Sequence, residues 1–181
     1  MMNTFVAGAV VLGLAVAPAV AGQQPTTAEK ADQTMAYGKT SDETFMVKAA
    51  SAGMEEVELG KLAVEKASSD EVKKFGQRMV DDHSKAGEEL KILAQNKHVT
   101  LPSETDARGK PAYDRLSKLS GASFDRAYMQ TMAAGHRQAL NDFRMETKMG
   151  KDADVKGWAA KTLPTIEEHV KMLQNAGSKK Q

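Results

Sequence analysis

The chain has 181 residues, with 25 basic against 24 acidic side chains and a formal net charge of +1. That balance, with both signs mixed along the sequence, excludes the basic footprint of a nucleic-acid or anionic-lipid binder, and the lack of cysteine excludes disulfides and a lipidated N-terminal cysteine. Aromatic residues make up only 5% while Ala, Lys, Glu, Leu and Met abound, which favours helices over a sheet.

The chain opens with MMNTFVAGAVVLGLAVAPAVAGQQ, an apolar run that closes on Ala19-Val20-Ala21 before a polar segment. This is the pattern of a secretory signal with an A-x-A cleavage site, although no Lys or Arg precedes the run. Small residues and Pro18 interrupt it where a spanning helix would continue, so cleavage after Ala21 is expected rather than a retained anchor. Residues 1–21 are then a signal peptide, and the mature protein, periplasmic or secreted, has no membrane span. Residues 22–40, GQQPTTAEKADQTMAYGKT, lack an apolar period and are expected to form a flexible leader. One helical domain follows over residues 41–177, with a polar tail at 178–181.

The first long helix is predicted from Ser41 or Asp42 to about Ala67, with Phe45, Ala49, Ala52, Leu59 and Ala63 on one face. Ser68-Ser69-Asp70-Glu71 then offers an S-x-x-E capping box that ends one helix and begins the next, which runs to about Lys97. So short a turn makes the two helices antiparallel. Residues 98–122 hold Pro102, Pro111 and two glycines around one short helix, roughly Ala112 to Leu119. The third long helix opens at Ser123 and runs to about Met149 with Phe124, Tyr128, Met132, Leu140 and Phe143 inward, and Gly150 stops it. The fourth begins near Asp152 and carries Val155, Trp158, Ala159, Ile166 and Leu173 to about Ala176, with a kink or break expected at Pro164. Two antiparallel hairpins joined by a connection as long as the bundle make an all-α, ferritin-like four-helix bundle, with the short helix in the connection between the second and third long helices. An up-down-up-down bundle with an ornamented middle loop has the same spacing and stays open.

Each long helix places one ionisable residue inside its apolar stripe. Glu56 lies between Ala52 and Leu59, His83 between Met79 and Ala86, His136 between Met132 and Leu140, and His169 between Ile166 and Leu173. Counted from the turns at about 1.5 Å per residue, all four lie about 20 to 25 Å from a helix end, near the middle of helices about 40 Å long. They can therefore meet, whichever connectivity holds.

Three imidazoles and one carboxylate converging in a dry core are a ligand set for zinc, copper, iron or manganese. Asp82, beside His83, and Asp125, in the first turn of the third helix, are each placed to accept the second ring N–H of a histidine. A proton-sharing polar network without metal competes with this, because a single buried histidine is more often a hydrogen-bonded core residue. His98, beside the connection, has no such placement and is expected at the surface. The Glu-x-x-His pairs of a di-iron centre are missing, since Val80, Ala133 and Ile166 stand three residues before the histidines, so one metal ion is expected rather than two. Met79, Met132 and Met172 lie within a turn of the histidines; thioethers suit copper, yet helical spacing alone makes them core filler.

Several separated segments match one family in order: EVELGKLA (Glu56 to Ala63), VKKFGQRMVDDH (Val72 to His83), FDRAY (Phe124 to Tyr128), His136, and LPTIEEH (Leu163 to His169). With these, the chain resembles the exported bacterial proteins called domain of unknown function 4142, often labelled outer-membrane proteins and grouped with ferritin-like bundles. The resemblance spans about residues 42–176. It implies a ferritin-like four-helix bundle and residence in the periplasm of a bacterium with two membranes, and it brings no established activity. No stretch alternates as the strands of an outer-membrane barrel do.

Two functions are left in view. One is an exported protein that binds a single transition metal through Glu56, His83, His136 and His169 and serves metal handling or envelope stress tolerance. The other is a non-metal structural or interaction protein whose buried His/Glu cluster fixes the bundle. Redox or hydrolytic catalysis at an open metal position has the least support, as there is no cysteine nucleophile and no serine in a nucleophile motif. The metal's identity, the partner and the oligomeric state, a homo-oligomer included, are not legible in the sequence.

Overall fold

The computed structural model describes residues 41–104 and 109–178. The signal and leader expected over residues 1–40 lie outside the described residues, as do residues 179–181 of the tail. Among the described residues the chain is all-α: α1 (Ser41–Lys66), α2 (Asp70–Asn96), the short α3 (Lys110–Ser117), α4 (Gly121–Met149) and α5 (Ala153–Ser178). None of these helices is long and apolar enough to cross a membrane.

The apolar stripes predict the four long helices closely, because each has a face rich enough to bury. Local signals fare less well. The short helix begins ahead of its expected start because Pro111, which has no N–H to lose, sits in its first turn. Pro164 neither ends nor divides α5, which continues on both sides of it. Gly150 does stop α4, but with φ −55° and ψ 149° rather than in a left-handed cap. A glycine is favoured there for space, since a Cβ would fall 2.7 Å from the Glu146 backbone carbonyl oxygen.

The expected capping box is also absent. Ser69 is the N-cap of α2 and makes no side-chain capping bond. Instead Asp125, from α4, closes the α1–α2 turn: its Oδ1 accepts from the Ser68 N–H at 3.0 Å, and its Oδ2 from the Ser68 hydroxyl at 2.6 Å and the Ser69 N–H at 3.0 Å. The reciprocal contact sits at the opposite end, where Asp42 of α1 accepts from the Lys151 and Asp152 N–H groups at 3.0 and 3.2 Å and closes the α4–α5 turn. Each hairpin thus caps the turn of the other. Asp42 and Asp125, Phe45 and Tyr128, Val72 and Val155, and Phe75 and Trp158 stand at one constant offset in the sequence, so the second hairpin repeats the first.

Helix α1 packs against α2 and α4, and α5 against α4 and α2. Phe45 meets Phe143 and Ser68 meets Asp125, so α1 and α4 are antiparallel. Lys97 pairs with Asp154 and Arg78 with Glu168, so α2 and α5 are antiparallel as well. It follows that α2 and α4 run in the same direction, and the connection between them travels the length of the bundle. It passes along α1, where Gly109 lies against Glu55 and the Lys66 ammonium donates to the Ser117 carbonyl.

Two apolar clusters fill the interior. One, toward the α1–α2 turn, is built on Leu59, Phe75, Met79, Phe124 and Tyr128; the other, toward the α4–α5 turn, on Phe45, Leu90, Phe143, Trp158 and Ile166. Each such side chain stabilises the fold by about 1.5–3 kcal/mol on burial. The ionisable residues lie where the two clusters meet.

Candidate metal centre

The middle of each long helix contributes one side chain, as the periodicity predicts, and the four come together. His136 and His169 are fully buried, Glu56 is buried at 7% exposure, and His83 is half-buried. One ring nitrogen from each of His83, His136 and His169 lies within 4.8 Å of its counterparts. Phe75 packs against both buried rings, with centroids 6.4 and 6.3 Å away.

Glu56 does not join that set of nitrogens. Its two oxygens face outward-turned ring atoms instead: Oε2 lies 3.2 Å from His83 Nδ1 and Oε1 lies 3.1 Å from His136 Nδ1. The carboxylate thereby clamps two imidazoles from behind. His136 Nδ1 is also 3.1 Å from the Met132 carbonyl, one helical turn back. Asp82 meets His169 rather than its neighbour His83, with Oδ2 2.9 Å from Nε2. Consecutive residues on a helix point about 100° apart, so Asp82 faces α5 while His83 faces the interior. Arg78 and Glu168 extend the chain to the surface, at 2.5 Å from Arg78 Nε to Asp82 and 2.8 Å from Arg78 to Glu168. Asp125, expected as a second partner for a histidine, corrects that expectation: it is consumed by Ser68 and Ser69 at the end of the bundle. His98 is exposed, at φ 57° just beyond the end of α2.

The protons can be assigned from these partners. A carbonyl only accepts, so His136 carries its proton on Nδ1, toward Met132 and Glu56, and its Nε2 is a bare lone pair. Burial works against the Asp82 carboxylate, but hydrogen bonds from Arg78 and His169 outweigh it and hold its pKa below the usual value. His169 therefore donates Nε2–H to Asp82, and its Nδ1 lies at hydrogen-bonding distance, 3.1 Å, from His136 Nε2. His83 gives Nδ1–H to Glu56, and its Nε2 is buried with no partner.

Burial keeps the rings neutral: it pushes His83 down to about 4, and it lowers His136 and His169 against the opposing pulls of Glu56 and Asp82. Burial also raises Glu56, opposed by His136. Zinc–nitrogen bonds of about 2.0–2.1 Å in a tetrahedral site separate the nitrogens by about 3.3 Å. His136 Nε2 and His169 Nδ1 stand close to that separation at 3.1 Å, and the widest spacing in the cluster, within 4.8 Å, exceeds it by about 1.5 Å at most.

A wide cleft of about 950 Å³ reaches His83 and Glu56 from the side of α1, α2 and α4. The sequence gives no direct warning of it, beyond the alanines and glycines at Ala49, Gly53, Ala86, Gly87 and Ala139. Ala52, expected on the inward face of α1, is exposed at its edge. Of the three histidines, His83 is the one that lines the cleft.

The sequence profile of the family described as Domain of unknown function (DUF4142) matches residues 24–176. The chain belongs to that family. No curated protein matches it. Among solved structures, a protein of the DUF305 family from Streptomyces coelicolor, described as secreted, is similar in fold, with a TM-score of 0.64 at 12% identity over 76% of this chain and 91% of that one. At that identity the likeness concerns the helical fold alone.

Proposed function

We propose that this DUF4142 protein is an exported metal-binding bundle of ferritin-like topology that holds one transition-metal ion through His83 Nε2, His136 Nε2 and His169 Nδ1. The observation that carries this is that one ring nitrogen from each of three histidines lies within 4.8 Å of the others, while acceptors hold the rings: Glu56 for His83, Glu56 and Met132 for His136, and Asp82 for His169. Histidine ligands in metal sites are oriented in this way. Three imidazoles favour zinc, copper or iron over manganese, which prefers oxygen. One carboxylate behind the rings cannot bridge two metals, so the site is mononuclear. A connection that runs the length of the bundle between two parallel helices supports the ferritin-like topology. Export follows from the signal pattern at residues 1–21, and the secreted description of the similar Streptomyces protein agrees with it. The role is metal handling or envelope stress tolerance in the periplasm.

Elemental analysis of the protein purified from the periplasm without tag or chelator tests the site. One equivalent of metal is expected in the parent and none in His83→Leu, with the fold intact by circular dichroism. Cobalt substitution should give the visible bands of a four-coordinate site.

The continuous chain Glu56–His136–His169–Asp82–Arg78 favours a second reading, in which the polar cluster fixes helix register without metal. It prevails if neither parent nor variant takes up zinc, copper, iron or manganese and the His136→Leu protein shows loosened or alternative packing.

A further inference from the structure

We infer that the cleft is the route by which a divalent metal ion reaches the three histidines, with the carboxylates of its walls drawing the cation inward and His83 meeting it first. This rests on the metal centre proposed above and adds the side from which that centre is loaded.

The cleft is built into the repeat. At the offset that pairs Asp42 with Asp125, the residues Glu56, His83, His136 and His169 correspond to Ala139, Ile166, Gly53 and Ala86, and all four of these line the cleft. Each stands three residues from a member of the polar layer on the same helix, about 4.5 Å along its axis. One layer carries the imidazoles and the carboxylate, while its counterpart carries a glycine, two alanines and an isoleucine. Side-chain volume is lost where the ionisable groups would recur, so the opening adjoins the histidines.

Its charge suits a cation. Glu56, Glu58, Glu88, Glu104 and Asp142 line it against three lysines and no arginine. A cleft walled by one excess sign of charge raises the local concentration of the opposite ion and its rate of arrival. At the inner end Glu56 and His83 line the cleft together. The His83 side chain is 12% exposed, whereas those of His136 and His169 are 0% exposed. The Nε2 of His83 has no partner, so an arriving ion finds one nitrogen ready before it meets the other two. The opposite face is closed to a cation. Between α2 and α5 the Asp82 carboxylate is held by His169 and by Arg78, whose guanidinium repels positive charge.

The rate of cobalt uptake tests the route. Metal-free protein is mixed with cobalt(II) by stopped flow, and the visible bands of the bound ion are followed. Uptake by the parent should slow as salt is added, because screening weakens the attraction. Glu58→Gln/Glu88→Gln/Glu104→Gln should take up cobalt at least about threefold more slowly than the parent at low salt, with the difference lost at high salt. Glu65→Gln/Asp81→Asn/Asp114→Asn removes the same charge from exposed positions outside the cleft and should change the rate by less than about twofold. A Cβ at Gly53 would meet nothing within 4 Å, so Gly53→Phe places a ring in the passage without a clash at the backbone. It should slow uptake and release together and leave the affinity as it was. The route is overturned by uptake as fast in the cleft triple variant as in the parent, by equal slowing in the control triple variant, or by unchanged rates in Gly53→Phe. Any of these with cobalt bound at one equivalent removes the route alone, whereas a protein that takes up no cobalt removes the centre and the route with it.

Discussion

The two ends of the α1–α2 pair use glycine in opposite ways. Near the turn, Gly60 and Gly76 lie against one another: a Cβ on Gly60 would fall 2.7 Å from the Gly76 carbonyl oxygen, and one on Gly76 would fall 2.7 Å from the Ala63 Cβ and 2.9 Å from the Gly60 carbonyl oxygen. The helices there touch backbone to backbone. Farther along, Gly53 and Gly87 face open space and help to shape the cleft. The same residue type closes one half of the bundle and opens the other, and the histidines sit at the boundary.

The largest expected effect breaks the closed half. Gly76→Leu forces a side chain into backbone and should cost about 3 kcal/mol or more in urea unfolding, or prevent folding. At the boundary, Asp82→Asn and Glu56→Gln each leave the three imidazoles of the proposed centre in place but loosen one or two of them. Metal affinity should fall by about 10–100-fold in a chelator competition, with the fold retained. Asp125→Ala, at the closed end, removes the acceptor of three hydrogen bonds from Ser68 and Ser69 and should cost about 1–3 kcal/mol.

At the open end the effect depends on pH. Burial and the adjacent Asp42 push Glu146 up to about 7 from 4.5. The folded chain therefore keeps a proton between those values that the unfolded chain releases. The stabilisation is complete below about 4.5 and is lost as pH rises to about 7. Unfolding midpoints from pH 4.5 to 8 should show this decline in the parent, and Glu146→Gln should flatten it. The smallest effect sharpens the contrast most directly. Gly53→Ala should stabilise by about 0.5–1 kcal/mol, the ordinary gain of replacing glycine in a helix, while Gly60→Ala should destabilise; equal signs in the two would dissolve the distinction between the halves.

Much of the centre was legible because helical periodicity exposes any polar residue that interrupts an apolar stripe. Glu56, His83, His136 and His169 were found that way, and counting from the turns put them at one depth. Their division of labour was not legible. Periodicity gives the direction a side chain leaves its helix, not which atoms meet, so Glu56 could be named as a ligand but not placed behind the rings. Asp82 and Asp125 had equal claims on a histidine from sequence, and only the packing of α5 against α2 gave His169 to the first, as only the crossing of the hairpins gave the α1–α2 turn to the second.

By itself the sequence determined the four long helices, the all-α class, and the level at which the ionisable residues sit, because these follow from short-range spacing along each helix. The tertiary structure decided which helices are neighbours, the length-spanning connection, the reciprocal capping by Asp42 and Asp125, and the cleft. Those depend on atoms far apart in the chain and on the empty volume between helices, which no local pattern encodes.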